Sequence, residues 1–196
     1  YFSEVMGNAT RTLIWNAALI KKIFLPREMF PVASAYVAVV HFVPQLVVLL
    51  AGSLYYGWRP TVLGLVAVLA GFLIVTFAAL GLGLIFGCLN VFFRDSENLV
   101  DLILMIATWV SPVLYSASMV RETVPEWIWH VYQANPVTVA VELFHYGFWS
   151  TATGQSVPAV GSFLVLTLIG LVGSLIVLGL GQLAFKRTEG KFAQEL

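Results

Sequence analysis

The chain alternates between long apolar runs and short polar connections. No Lys, Arg, Asp or Glu occurs in residues 29–58, 60–93 or 102–120, and the apolar part of 143–185 is a fourth such stretch. A helix needs about 20 apolar residues to cross a bilayer. The pattern therefore predicts four spans, at 32–56, 61–92, 99–119 and 158–185. The second is long enough to tilt or to run past the bilayer edge.

Polar positions refine the picture. In the first span Ser34, His41, Gln45 and Tyr56 share a narrow sector at helical spacing, with Ala38 and Gly52 between them. The second span contains GLGLIFG at 81–87, in which Gly83 and Gly87 form a GxxxG pair that permits close helix approach. In the third, Asp101, Thr108, Ser111, Tyr115 and Ser118 fall on one side of a helix. Lipid does not tolerate such a stripe, so it faces a bundle interior or an aqueous path. Pro112 is expected to kink that span. Asp101 has two readings, an anchor near the start of the span or a contact with substrate or gate. Asp95 or Ser96 suits the helix N-cap.

The connections are also patterned. Leu13, Ala17, Ile20 and Phe24 recur at helical spacing, with Arg11 and Lys21 elsewhere on the surface. This predicts an amphipathic helix at a membrane interface or across another protein. Pro26 and Pro31 are expected to stop and redirect it. Between the third and fourth spans, 120–157 reads as two short helices broken at Asn135-Pro136. It is rich in aromatics: Trp127, Trp129, Tyr132, Phe144, Tyr146, Phe148 and Trp149. The tail 186–196 reads as a charged helix end.

Composition sets the class. Hydrophobic residues make up 60% of the chain and charged ones 10%, and mean hydropathy is +0.92. Soluble domains carry about 25% charged residues, so this is an all-α, polytopic membrane helix bundle. The zero net charge gives no sign of a nucleic-acid partner. A single cysteine, Cys88, excludes a disulfide within the chain and suits a small packing residue. The chain begins at Tyr1 without a signal-peptide layout, and reads as a piece of a longer protein.

Basic residues orient the spans. Arg11, Lys21, Lys22, Arg27, Arg94, Lys186, Arg187 and Lys191 fall on one side, and only Arg59 and Arg121 on the other. The richer side is expected to be cytoplasmic, which places both ends of this chain inside.

Catalytic signatures are missing: there is no HExxH, no GxSxG and no GxxxxGK[ST]. Any ATP used is not bound through a P-loop of this chain. Glu142 and His145, three apart, suit a polar contact better than a metal site or proton relay.

An ordered set of segments carries a family resemblance. LIKKIFLPREMFP precedes a span, LNVFFRDSENLVDLIL joins two, SPVLYS lies in the next, ANPVTVAVELFHYGFW lies outside, and FKRTEGKFAQEL closes the chain. The set resembles the permease subunits of ABC-2-type transporters, especially exporters of O-antigen, teichoic acid and related envelope polysaccharides. The resemblance covers nearly the whole chain, as one transmembrane domain over 1–196. It implies a six-span subunit in the bacterial plasma membrane, of which residues 1–12 are the end of a preceding span and the four spans above are the last four. It implies a homodimer bound to two separate ATPase subunits that carry the ATP and Mg, with no cofactor in this chain. The substrate it implies is a lipid-linked glycan.

The resemblance also assigns roles. Residues 13–31 would be the cytoplasmic coupling helix and turn, with Asn16, Ile20, Lys21, Lys22, Phe24, Pro26, Arg27 and Glu28 docking on an ATPase. Asp101, Thr108, Ser111, Tyr115 and Ser118 would line the translocation path. Trp127, Trp129, Tyr132, Phe144, Tyr146 and Trp149 would belong to an external gate in 120–157. Members often carry an arginine where this chain has His145. Aromatic faces suit a sliding sugar polymer, although Trp and Tyr also gather in interfacial belts. The competing readings are an ABC-2 exporter of drugs or lipids, an integral lipid-modifying transferase, and a passive channel or assembly scaffold. A transferase is disfavoured because the acids are scattered rather than clustered at one membrane face.

Overall fold

A computed structural model describes residues 1–22, 26–148 and 163–195. The regular structure among them is helical. In order, the helices are α1 (Phe2–Trp15), α2 (Ala17–Ile20), α3 (Met29–Tyr55), α4 (Val62–Phe92), α5 (Ser96–Val110), α6 (Ala117–Thr123), α7 (Glu126–Ala134), α8 (Pro136–Phe148) and α9 (Phe163–Glu195). Three of these, α3, α4 and α9, are long and apolar enough to cross a membrane.

The helices fold as two compact units, one of Tyr1–Val43, Thr76–Ile106 and Leu175–Leu196, the other of Pro44–Val75 and Ala107–Ser174. In the first unit, small residues bring backbones together. A Cβ added to Gly81 would lie 2.6 Å from the Leu178 backbone nitrogen, and one added to Gly181 would overlap the Gly81 carbonyl. These two glycines are where α4 meets α9. The GxxxG pair faces α1 instead: a Cβ on Gly83 would lie 2.6 Å from that of Ala9, and one on Gly87 3.1 Å from the Ala9 carbonyl. Around these crossings Leu13, Ile20, Leu84, Cys88, Val91, Phe185 and Phe192 form one buried cluster. Val5, Ala35, Ala38 and Ala79 form a second.

In the second unit α8 lies against α4. A Cβ on Gly64 would lie 3.2 Å from the Gly147 carbonyl, and one on Gly71 3.0 Å from that of Ala140. Trp58 is buried and donates its indole N–H to the Gly147 carbonyl at 2.9 Å. Ala67, Ile74, Val139, Ala140, Leu143 and Leu166 complete this core.

Several expected boundaries hold. α3 and α4 begin and end within three residues of the predicted first and second spans. Asn135-Pro136 separates two helices as predicted. Asn135 accepts a bond from the Val137 N–H at 3.0 Å, and Pro136 opens α8. That is the N-cap and first-turn proline combination favoured at helix starts.

Other elements differ from expectation. The third span, 99–119, is not one helix: α5 ends at Val110 after 15 residues, the chain leaves helical geometry, and α6 begins at Ala117. Pro112 has no N–H to continue the ladder, and Tyr115 caps the freed carbonyls, so the chain breaks rather than kinks. The amphipathic helix expected near residues 11–24 is divided at Asn16, whose side chain donates to the Thr12 carbonyl at 2.8 Å. Pro31 does not stop a helix but sits in the first turn of α3, where a missing N–H costs nothing. α9 carries the last span on through the expected tail to Glu195; the predicted start of that span, 158–162, lies outside the described residues.

Gly81→Val should destabilise the protein by about 1–3 kcal/mol through overpacking, whereas Gly179→Ala should be near neutral. A Cβ on Gly179 meets nothing within 4 Å. Thermal unfolding of the detergent-solubilised protein measures both.

Candidate functional site

The segment joining α1 to α3 lies wholly in the first unit. Its root is fixed by Ile20, which is buried beside Leu13, Leu84 and Phe185. Ile20 therefore holds the segment to the bundle and does not present a surface, contrary to its assignment as a docking contact. Lys21, Lys22 and Pro26 are exposed, and Asn16 and Glu28 are partly so. Phe24 lies outside the described residues. Arg27 donates to the backbone carbonyl of Glu189, which ties the segment's exit to α9. Sequence reasoning missed Trp15, Leu19 and Met29, which are 66%, 41% and 55% exposed and surround the lysines with apolar surface. Trp15 and Leu19 fall outside the predicted apolar stripe of Leu13, Ala17 and Ile20, and that was the available signal.

A charged cluster lies in the same unit. The Arg11 guanidinium on α1 reaches both carboxylate oxygens of Asp101 on α5, at 2.6 and 2.5 Å, and lies 3.7 Å from Glu97. Asp101 is thus paired with Arg11 across from α5 to α1. Two contacts escaped prediction altogether. The buried Asn90 side chain donates to the Thr10 carbonyl at 3.2 Å, and Glu4 pairs with His41 at 2.5 Å.

The remaining polar positions of the expected stripe lie in the second unit and are not on one helix face. Thr108 is exposed on α5, while Ser111 is buried just past its end with no hydrogen-bond partner for its hydroxyl among the described residues. Tyr115 turns back and shares its hydroxyl proton between the carbonyls of Trp109 at 3.0 Å and Val110 at 2.9 Å. Ser118, on α6, bonds the Ser116 hydroxyl at 2.9 Å. The break after Val110 turned a stripe into a cap and a short polar turn.

That turn joins an aromatic cluster. Trp129 and Tyr132 stack on α7 with centroids 5.7 Å apart, and both are buried with Ala117. The Tyr132 hydroxyl donates to that of Tyr115 at 3.4 Å. Burial, and then the Tyr115 hydrogen bond, hold the Tyr132 phenol well above the usual tyrosine range, so it stays protonated in neutral solution. Of the expected gate aromatics, Trp127 is exposed. Phe144 stacks on Phe148 at 6.3 Å, and Tyr146 packs on the α4–α8 core. Trp149 lies outside the described residues. Glu142 is buried on α8 and is 3.5 Å from His145, the expected polar contact. Among the described residues, no three His, Cys, Asp or Glu side chains gather as a metal site requires.

Comparison with known proteins agrees with this architecture. The chain belongs to the ABC-2 type transporter family, whose model matches residues 5–149. Together with three long apolar helices, this places it in a membrane. Among its relatives are two proteins of Klebsiella pneumoniae named O-antigen export system permease protein RfbA, 34% and 33% identical over 125 residues. A Myxococcus xanthus protein of the same name is 30% identical over 125 residues. The first match covers 62% of this chain and 47% of the relative, so the chain spans about half the length of the curated relatives it matches.

Removing the Tyr115 hydroxyl with Tyr115→Phe should cost about 1–2 kcal/mol, because it uncaps α5 and unpairs Tyr132. Tyr132→Phe should cost less, and the two should couple by at least about 0.5 kcal/mol. A double-mutant cycle by thermal unfolding gives the coupling directly.

Proposed function

We propose that this chain is the membrane-spanning permease part of an ATP-driven exporter of lipid-linked polysaccharide in the bacterial plasma membrane. The observation that carries this is the family match over residues 5–149, joined to relatives named as O-antigen export permeases. The chain transports and does not catalyse. ATP and Mg belong to a separate ATPase, two copies of which bind a homodimer of the permease. Both ends of this chain face the cytoplasm.

The docking surface runs from the last residue of α1, Trp15, to the first of α3, Met29. Exposed Lys21 and Lys22 offer charge, exposed Trp15, Leu19 and Met29 offer apolar contact, and Ile20 and Arg27 root the segment in the bundle. Such a surface suits a cleft with acidic walls and an apolar floor, since buried aromatic anchors with a charged rim carry most interface energy. Thr108, exposed on α5, and Ser118 on α6, both in the second unit, are the polar positions proposed for the path. The α6–α8 segment is the proposed external gate, with Trp127 as its exposed aromatic surface and Trp129 and Tyr132 as its packed interior. A sugar polymer presents apolar ring faces and hydroxyls, and exposed rings support it without gripping one residue.

Reversing charge with Lys21→Glu and Lys22→Glu should weaken ATPase co-purification by about tenfold, equivalent to about 1.4 kcal/mol. Arg121→Glu should leave it unchanged. Full assembly and export with both lysines reversed would remove the docking assignment.

A further inference from the structure

α1 and α3 form an antiparallel hairpin whose turn is the proposed docking segment. Three contacts set its register. The Tyr1 ring lies 5.4 Å from that of Phe42, Glu4 Oε1 lies 2.5 Å from His41 Nδ1, and Val5 packs with Ala35 and Ala38. His41 lies twelve residues past Met29, the first residue of α3, and Glu4 eleven before Trp15, the last of α1. At 1.5 Å per residue both are roughly 17 Å from the turn. Two ionisable groups thus meet far from the turn, on the outside of a hairpin of which one arm, α3, is an apolar membrane-length helix; the His41 side chain is 60% exposed and that of Glu4 30%.

Position makes the contact consequential. A lone carboxylate or imidazolium is costly in hydrocarbon, and each group here supplies the other's partner. The pair carries no net charge whether the shared proton sits on the imidazole or on the carboxylate. The buried cluster nearby is Val5, Ala35, Ala38 and Ala79, with Tyr1, Phe2 and Leu80 packed against it. The other titratable group at this end is Tyr1, whose hydroxyl bonds Thr76 at 3.1 Å. Sliding α1 along α3 by one helical turn, about 5.4 Å, would take the contact beyond hydrogen-bonding range and leave both groups without this partner. Beside the Tyr1–Phe42 ring contact, the buried apolar contacts between these helices are small side chains, Val5 with Ala35 and Ala38.

We propose that Glu4 and His41 form an intramembrane tie that locks α1 to α3, so that displacement of the segment between them moves both helices as one body. They are positioning residues for transport. The transport consequence rests on the docking reading of residues 16–28, whereas the tie itself does not.

The test has two arms. In the first, the full-length protein alone is placed in lipid nanodiscs. Cys88 is replaced by Ser, and spin labels sit at Asn8 on α1 and Tyr36 on α3. Pulsed dipolar spectroscopy should give one narrow distance in the parent. Glu4→Ala and His41→Ala should broaden or shift it, and the exchanged pair, Glu4→His with His41→Glu, should narrow it again. In the second arm, proteoliposomes containing the permease and its ATPase report export per ATP hydrolysed. Each single variant should lower this ratio by about fivefold, within the range of coupled polar pairs, with ATP hydrolysis retained. The exchanged pair should restore it. Glu4→Gln, nearly isosteric, keeps a hydrogen bond and guards against simple misfolding; it should lie between parent and Glu4→Ala. Unchanged distances in the single variants would overturn the tie, as would an exchanged pair no better than the singles. If the distances respond as expected but the lysine reversals leave ATPase assembly intact, the tie stands and the docking reading falls.

Discussion

Backbone N–H and C=O groups find no water in hydrocarbon, so each must be bonded within the protein. Much of the structure follows from this. The long uncharged runs become helices because only helices satisfy their own backbone there. Once helical, they gain nothing from excluding water against one another, and close packing must hold them. Gly81 against Gly181, Gly83 against Ala9 and Gly64 against Gly147 provide it, each bringing backbone or Cβ atoms into direct contact. Where the helical ladder is broken at Pro112, the exposed carbonyls at the end of α5 are met by the Tyr115 hydroxyl.

The same constraint selects the polar contacts. Arg11 with Asp101, Asn90 with the Thr10 carbonyl and Glu4 with His41 all involve α1. They fasten that helix to α5, α4 and α3 within one compact unit. α1 ends in the exposed Trp15 and leads into the segment with the exposed lysines. A helix held on several sides moves with the bundle, as the docking role proposed for the segment after it would require.

Helix locations were legible where the signal was local. Runs free of charge gave α3 and α4, the Gly83–Gly87 spacing gave a close helix contact, and Asn135-Pro136 gave the α7–α8 boundary. Each depends on residues adjacent in sequence. Pro112 and Tyr115 misled the reading of the third span. Helical spacing put Tyr115 on a polar face, but its hydroxyl found carbonyls five and six residues back, and that choice depends on tertiary burial beside Trp129 and Tyr132. Ile20 misled for a related reason. Periodicity identifies an apolar position and not which neighbour covers it, and here the cover comes from Leu84 and Phe185, far away in sequence. The partners of Glu4 and Asp101 were illegible on the same grounds, since salt bridges across helices leave no periodic trace.

The central claim, export of a lipid-linked polysaccharide, is tested most directly by depleting the full-length protein in its native bacterium and following the glycan. Lipid-linked polymer should accumulate on the cytoplasmic face of the plasma membrane while its surface-exposed form disappears, and both should recover on re-expression. An unchanged glycan distribution, with a drug or simple lipid retained instead, would contradict the account.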